Sequence, residues 1–269
     1  MANIHPTALV DSKAQLDDSV TVEPFSIIGP DVSIGAGTKI GPYVQLKGKL
    51  DIGKNNQIFH AACIGENGQD LTFDNSEAAI KIGDNNVLRE YVSIHQPSKP
   101  GNLTQIGNNN YLMCNVHLGH DVQMKNNNVL TPAVAVGGHV QLDDNVYIGG
   151  LSAIHQFVKI GKFSIVGGVT AVLRDIPPYS MFSGEPGGIT GLNMIGLRRA
   201  EFPSDRISLI KNIYKTVYMR GNIPKKAASI LEEEFLNQTE QGSEERKILQ
   251  EYIDFIRSSD RGISARLAH

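Results

Sequence analysis

From Ile4 to Ile64 an aliphatic residue stands at every sixth position: Ile4, Val10, Leu16, Val22, Ile28, Ile34, Ile40, Leu46, Ile52, Ile58 and Ile64. A helix repeats its buried face about every 3.6 residues and a half-buried strand about every 2, so neither yields a period of six. A coil with three flat sides does, and hexapeptide repeats mark β-helices. The pattern predicts a solenoid of triangular coils of about 18 residues each. The count lapses after Ile64, returns at Ile82, Leu88 and Ile94, and lapses again. It then runs from Ile106 through Leu112, Leu118, Met124, Leu130, Val136, Leu142, Ile148, Ile154, Ile160 and Val166 to Val172. The lapses predict two loops, 66–79 and 96–104, with Asp70, Ser76 and Pro100 where aliphatic residues would fall. Loops on rigid scaffolds are where function tends to sit.

Small or β-branched residues follow most markers by four positions, as at Ala8, Val20, Val32, Val44, Val116, Val134 and Val140, and suit a pleated surface with crowded corners. Glycine follows the marker directly at Gly29, Gly35, Gly41, Gly53, Gly65, Gly83, Gly107 and Gly161, and asparagines cluster at 55–56, 85–86, 108–110 and 126–128. Both types predict corners with positive φ. The period ends near Asp175, where Pro177 and Pro178 mark the exit. Tyr179 to Gly196 is glycine-rich and periodicity assigns it no element. From Ser204 the spacing turns helical, with Ile207, Ile210, Tyr214 and Val217 on one face, Ser204 as N-cap and Gly221 as stop. Lys225–Leu236 and Glu244–Ile256 read as two more amphipathic helices. The domain division expected is 1–186 for the β-helix and 187–269 for an α-helical C-terminal domain, a mainly β chain.

The 269 residues contain no Trp and 6% aromatic residues, which fits a narrow core of short side chains. Net charge is −3; residues 1–176 carry 12 basic and 16 acidic side chains, and residues 177–269 carry 13 and 12. That balance, with no basic stripe or stacking platform, argues against nucleic acid. Arg198, Arg199, Arg220, Lys225 and Lys226 could form a local patch for an acidic partner, although solvated helix ends explain them as well. Neither a signal sequence nor a long apolar run is present, so no integral membrane segment and a cytoplasmic location are expected. Cys63 and Cys114, widely spaced, read as buried reduced thiols.

The chemistry gathers at histidines. With about 18 residues per coil, Leu118, Val136 and Ile154 stack, and His120, His139 and His155 follow them by two, three and one positions. Three imidazoles therefore share one edge over roughly 10 Å, since stacked strands lie about 4.8 Å apart; His117 precedes the same corner. His120 is the best candidate for a base, because Asp121 beside it can fix the imidazole tautomer and stabilise the protonated ring. Gly137 and Gly138 would let a substrate approach and leave an N–H for an oxyanion. No Ser or Cys stands out as a nucleophile, so direct transfer is more natural than a covalent enzyme intermediate.

The runs Asn115-Val116-His117-Leu118-Gly119-His120-Asp121, Gly138-His139-Val140, Ile154-His155-Gln156-Phe157 and Asp175-Ile176-Pro177-Pro178-Tyr179 closely resemble the UDP-N-acetylglucosamine O-acyltransferases, hexapeptide-repeat acyltransferases of lipid A biosynthesis. Gly65-Glu66, Gln69-Asp70-Leu71, Gly191-Leu192-Asn193 and Gly196-Leu197-Arg198-Arg199 extend the resemblance over nearly the whole chain. It implies a left-handed parallel β-helix, a homotrimer with sites between subunits, and transfer of an (R)-3-hydroxyacyl chain from acyl carrier protein to the 3-hydroxyl of UDP-N-acetylglucosamine. By matching positions, His120 would be the general base, Asp121 its orienting partner and Gly138 the donor to the thioester oxygen. Gln69, Asp70, His117 and His139 would contact the acceptor, His155 and Gln156 would line the site, and Asn193 and Arg199 would hold the nucleotide. No metal and no bound cofactor are implied, the acyl-phosphopantetheine of the carrier protein being a substrate.

Two positions depart from the family pattern: Thr72 stands where a basic residue is common, and Glu185-Pro186-Gly187-Gly188 occupies a segment that often holds a histidine. They raise the possibility of an acceptor with an amine in place of the 3-hydroxyl. A related sugar-amine acyltransferase usually has a domain before the repeat, whereas here the repeat begins at Ile4. A γ-carbonic-anhydrase-like metalloenzyme and a non-catalytic scaffold would also be compatible with a histidine-bearing solenoid.

Overall fold

The computed structural model describes residues 1–74 and 78–267. Residues 75–77, within the first predicted loop and including Ser76, lie outside the described residues, as do 268–269.

Strands of two to five residues build three sheets of 11, 9 and 8 strands. Consecutive strands join the first, second and third sheets in turn, so each sheet is one flat side and its neighbouring strands are one coil apart. The register carries the sixfold pattern: Leu118 lies beside Val136 and Val136 beside Ile154, in parallel. The marker residues from Val22 to Val172 point inward and are buried, as are most small residues four positions later, among them Val20, Val44, Val116 and Val134. Each such aliphatic side chain contributes about 1.5–3 kcal/mol by leaving water, which is why the pattern tolerates no charge.

The corners correct the reading of glycine. Of the glycines after a marker, only Gly65 has positive φ. The left-handed residue is instead the third of each corner: Phe25, Tyr43, Asn55, Asn85, Asn109, Asp121, Asn127 and His139 among them. The glycines are there because the next coil is too close: a β-carbon on Gly53, Gly83 or Gly107 would come within 2.7–2.8 Å of the backbone oxygen of Gly83, Gly107 or Lys125. The asparagine clusters do turn the corners, and their last members also form a buried ladder. Asn56 Oδ1 accepts from Asn86 N–H (2.9 Å), Asn86 from Asn110 (2.8 Å), Asn110 from Asn128 (2.9 Å) and Asn128 from Val146 (2.7 Å). This pairs backbone donors that the turn leaves without a ladder partner.

The glycine-rich stretch after Tyr179 is more ordered than its sequence suggests. Strand Ser180–Ser183 continues the first sheet, and Gly188–Leu192 pairs with it antiparallel, so the sheet passes the boundary expected at residue 186. Helix α1 (Met194–Arg199) follows, then α2 (Ser204–Tyr218), α3 (Pro224–Glu234) and α4 (Glu244–Arg257). Ser204 begins α2 rather than capping it, Pro203 taking the cap position, whereas Ser243 caps α4 by accepting from Arg246 N–H. The helices bury Ile210, Ile213, Leu231, Leu249, Tyr252 and Ile253 in a second core. Asp175, fully buried, joins the two parts: its carboxylate accepts from Lys159 N–H (2.7 Å) and Ser259 Oγ (2.5 Å), and its carbonyl from Ser264 N–H (2.7 Å).

Candidate active site

Every predicted site residue of the solenoid except His117 lies on one edge. Both loops leave the corner between the second and third sheets, the first between Glu66 and Ala79 and the second between His95 and Leu103. In the following coils the same corner holds Gly119-His120-Asp121, then Gly137-Gly138-His139, then His155-Gln156-Phe157. His120 and Gly138 share the second corner position, and Asp121 and His139 the left-handed third, with φ of 61° and 59°. Stacking therefore sets Gly138 against His120 and His139 beside Asp121.

His120 Nδ1 lies 2.8 Å from Asp121 Oδ2, with side-chain exposures of 10% and 5%, so this pair is nearly dry. The second loop completes it. Asp121 Oδ2 also accepts from Ser98 N–H (2.9 Å) and Ser98 Oγ (2.8 Å), Oδ1 accepts from Asn102 Nδ2 (2.8 Å), and Asp121 N–H donates to Thr104 Oγ1 (3.0 Å). Burial alone would raise the carboxyl; these donors, led by Ser98, outweigh it and hold Asp121 below the usual carboxylate value. The ionised Asp121 in turn favours a proton on His120 Nδ1, leaving the Nε2 lone pair for chemistry.

His139 completes an aromatic column. Its ring meets His120 edge-on at 5.1 Å between centroids, stacks flat on Phe157 at 4.5 Å, and brings Nε2 within 3.6 Å of Asp121 Oδ2. His155 is in the next corner but exposed, its Nδ1 3.1 Å from Gln156 O, and Gln156 is exposed beside it. His117 lies on the second face, with Nδ1 3.0 Å from Ser93 Oγ and its ring 5.1 Å from His95. Burial, with the His95 charge beside it, pushes His117 below the ordinary imidazole value and favours the neutral ring.

In the first loop Gly68 rests on the site: a β-carbon there would stand 3.3 Å from His120 Cβ. Gln69 is exposed and Asp70 half-buried, and Asp70 Oδ1 accepts from Thr72 N–H (2.9 Å) and Thr72 Oγ (3.0 Å), which hold its carboxyl low. The two nucleotide candidates are elsewhere. Asn193 caps α1, accepting from Gly196 N–H (2.9 Å) and donating to Phe163 O (2.9 Å), at the corner between the third and first sheets. Arg199 ends α1, exposed. One chain therefore does not bring them to His120.

Ser98, Asn102 and Phe157 belong to the site and were not singled out by sequence; the lapse of period at 96–104 marked the loop but not its residues. A shallow cavity of about 250 Å³ opens beside Asp121, lined by Asn102, Leu103, Gln123, His139 and Gln141. His120, Asp121 and His139 offer ligand atoms within 4.8 Å of one another, close enough to invite a cation. Their donor set fits one poorly: four hydrogen bonds occupy the carboxylate oxygens and His120 has turned Nδ1 to Asp121.

The chain is similar to known proteins over its full length. Residues 175–264 match the family described as "Udp N-acetylglucosamine O-acyltransferase; Domain 2", and residues 13–48 match the bacterial transferase hexapeptide. A Psychrobacter protein named acyl-[acyl-carrier-protein]--UDP-N-acetylglucosamine O-acyltransferase is 49% identical over 98% of this chain and 99% of its own. One of the same name from Syntrophobacter fumaroxidans is 38% identical over 97% and 98%. Among solved structures, LpxA from Acinetobacter baumannii superimposes with TM-score 0.90 at 38% identity, covering 97% of this chain and 99% of that one. The Francisella novicida UDP-N-acetylglucosamine acyltransferase gives 0.92 at 34%, covering 99% and 95%.

Proposed function

The chain belongs to the UDP-N-acetylglucosamine O-acyltransferases, and on that premise we propose that it moves an (R)-3-hydroxyacyl chain from acyl carrier protein to the 3-hydroxyl of UDP-N-acetylglucosamine, the first step of lipid A biosynthesis. The observation that carries the mechanism is the His120–Asp121 pair at 2.8 Å, set by Ser98 and Asn102. His120 Nε2 takes the proton of the acceptor hydroxyl as its oxygen attacks the thioester carbon. Asp121 stabilises the imidazolium so formed. The negative charge moves to the former carbonyl oxygen, toward which Gly138 N–H is available: that position is proline at Pro24, Pro42 and Pro132, and among the described residues this N–H has no hydrogen-bond partner. Collapse of the intermediate expels the phosphopantetheine sulfur, which takes the proton back from His120. A thioester is already activated, so alignment and general-base help, worth about 10²–10⁴-fold, suffice without a covalent enzyme intermediate.

Gln69, Asp70, His117 and His139 are read as acceptor contacts, with His155 and Gln156 lining the site. A neutral His117 suits hydrogen bonding to sugar hydroxyls. The coil is read as a left-handed parallel β-helix that assembles as a homotrimer. Asn193, with Arg199 on the same short helix, starts from a different corner than His120, which supports sites formed between subunits, one giving the histidine edge and its neighbour α1. No helix among the described residues is long and apolar enough to cross a membrane; the place of action proposed is the cytoplasm, with no resident cofactor.

Thr72 favours a second acceptor. It brings hydrogen bonds but no cation to Asp70, leaving a carboxylate that would also suit a protonated 3-amine. Mass spectrometry after incubation with acyl carrier protein thioesters and each acceptor separates the two readings: acylation of the hydroxyl form is expected, and acylation of the amine form alone would overturn it.

A further inference from the structure

His95 ends the strand Ser93–His95 and is 9% exposed, yet the mechanism does not use it. Its Nδ1 lies 2.8 Å from the backbone oxygen of Asn67. A carbonyl only accepts, so Nδ1 carries the proton and His95 is the donor. The residues after it bind the same loop again. Gln96 N–H donates to Glu66 O (2.9 Å), Gln96 Nε2 to Gly65 O (2.6 Å), and Ser98 O accepts from Asp74 N–H (3.1 Å). Ser98 is also the double donor to Asp121, and His95 O accepts from the Thr104 hydroxyl (3.2 Å) that Asp121 N–H meets. The segment 95–98 thus touches both ends of 66–74 and the catalytic pair, while Gly68 fills the gap above His120.

We propose that His95 is a positioning residue: its Nδ1–H on the Asn67 carbonyl sets the height of the first loop over His120, and with it the place of Gln69 and Asp70. The consequence for catalysis rests on the acceptor reading above. Without this donor the Asn67 carbonyl loses its imidazole partner, while the backbone ties, the Gln96 amide and the Glu66 contacts with Gln45 and Lys47 remain at the ends of the segment. His120, Asp121 and Gly138 stay where they are. The effect therefore falls on the acceptor and not on the chemical step.

The chemistry of the donor supplies the test. An Asn side chain presents its N–H where histidine has Nδ1, whereas Gln presents one nearer Nε2. In His95→Phe and His95→Gln, KM for UDP-N-acetylglucosamine is expected to rise about tenfold, with kcat within about threefold and KM for the acyl carrier protein unchanged; His95→Asn is expected to restore the wild-type KM. Amide hydrogen exchange of residues 67–74 in the substrate-free protein reads the brace without turnover: about tenfold faster in the Phe and Gln variants, and near wild type in Asn. Should the Phe variant not fold, the Asn–Gln contrast decides. Equal exchange in Asn and Gln, or an acceptor KM that does not follow exchange in an active enzyme, would overturn the proposal. If exchange behaves as expected but the wild type acylates no acceptor, the brace stands and the functional reading falls.

Discussion

Gly138 lies against the imidazole of His120 so closely that a β-carbon on it would collide with Cε1 and Nε2 and stand 2.9 Å from Cδ2. The glycine is not there for its φ, which is not positive, but for the space the ring needs. Gly138→Ala is expected to fold with a Tm within a few degrees of wild type, while transfer drops at least about 10²-fold because Nε2 is displaced. Thermal melts beside initial rates check this, and a fully active alanine variant would mean that His120 works from another rotamer.

Asp121 accepts four hydrogen bonds from side chains and backbone. Asp121→Asn must turn an N–H toward Ser98, His120 or Asn102, all of which donate. The expected result is a loss in kcat of about 10²–10⁴-fold, with faster proteolysis of the 96–104 loop. Unchanged kcat would remove Asp121 from the mechanism.

Stability should fall as pH falls, in two windows. Folding depresses His117 below 6.5 and Asp121 below 3.8, so in each case the unfolded chain takes up the proton first. The stability due to each is present above those ordinary values and is lost as pH drops through the lower folded ones. Urea midpoints are expected to decline below pH 6.5, less so in His117→Gln, and to decline again below pH 3.8, less so in Asp121→Asn. A wild-type midpoint flat from pH 7 to pH 5 would contradict the His117 part.

Phe157 stacks on His139 at 4.5 Å with 5° between the planes. Such a pair is worth about 0.5–1.5 kcal/mol. Phe157→Leu is expected to raise the acceptor KM several-fold by freeing His139, with a smaller change in kcat. Steady-state kinetics would show otherwise if kcat alone fell.

The coil period was legible in the sequence because the marker positions from Val22 to Val172, one per flat side, are all apolar and buried. The inward positions four residues later admit Ser, Thr and Asn and carried less of the signal. His120, Asp121 and Gly138 were legible by stacking arithmetic, since repeated coils convert spacing into proximity. Ser98 and Asn102 were not: their loop departs from the period, and only the fold brings it onto Asp121. His155 was placed in the column, but Phe157, two residues on, takes the stacking position because the left-handed third corner residue projects toward His139. The asymmetry of Asn193 and Arg199 was also hidden, for a motif in sequence order does not say which edge of a triangle it meets.

The most direct measurement is acyl transfer from 3-hydroxyacyl carrier protein to UDP-N-acetylglucosamine by wild type and His120→Ala, with oligomeric state followed in parallel and bound metal measured in the wild type. The account predicts 3-O-acylated product from wild type, at least about 10²-fold less from an equally assembled variant, and much less than one metal ion per chain. A variant as active as wild type, or a wild type that binds about one zinc per chain and loses its activity to a chelator, would contradict it.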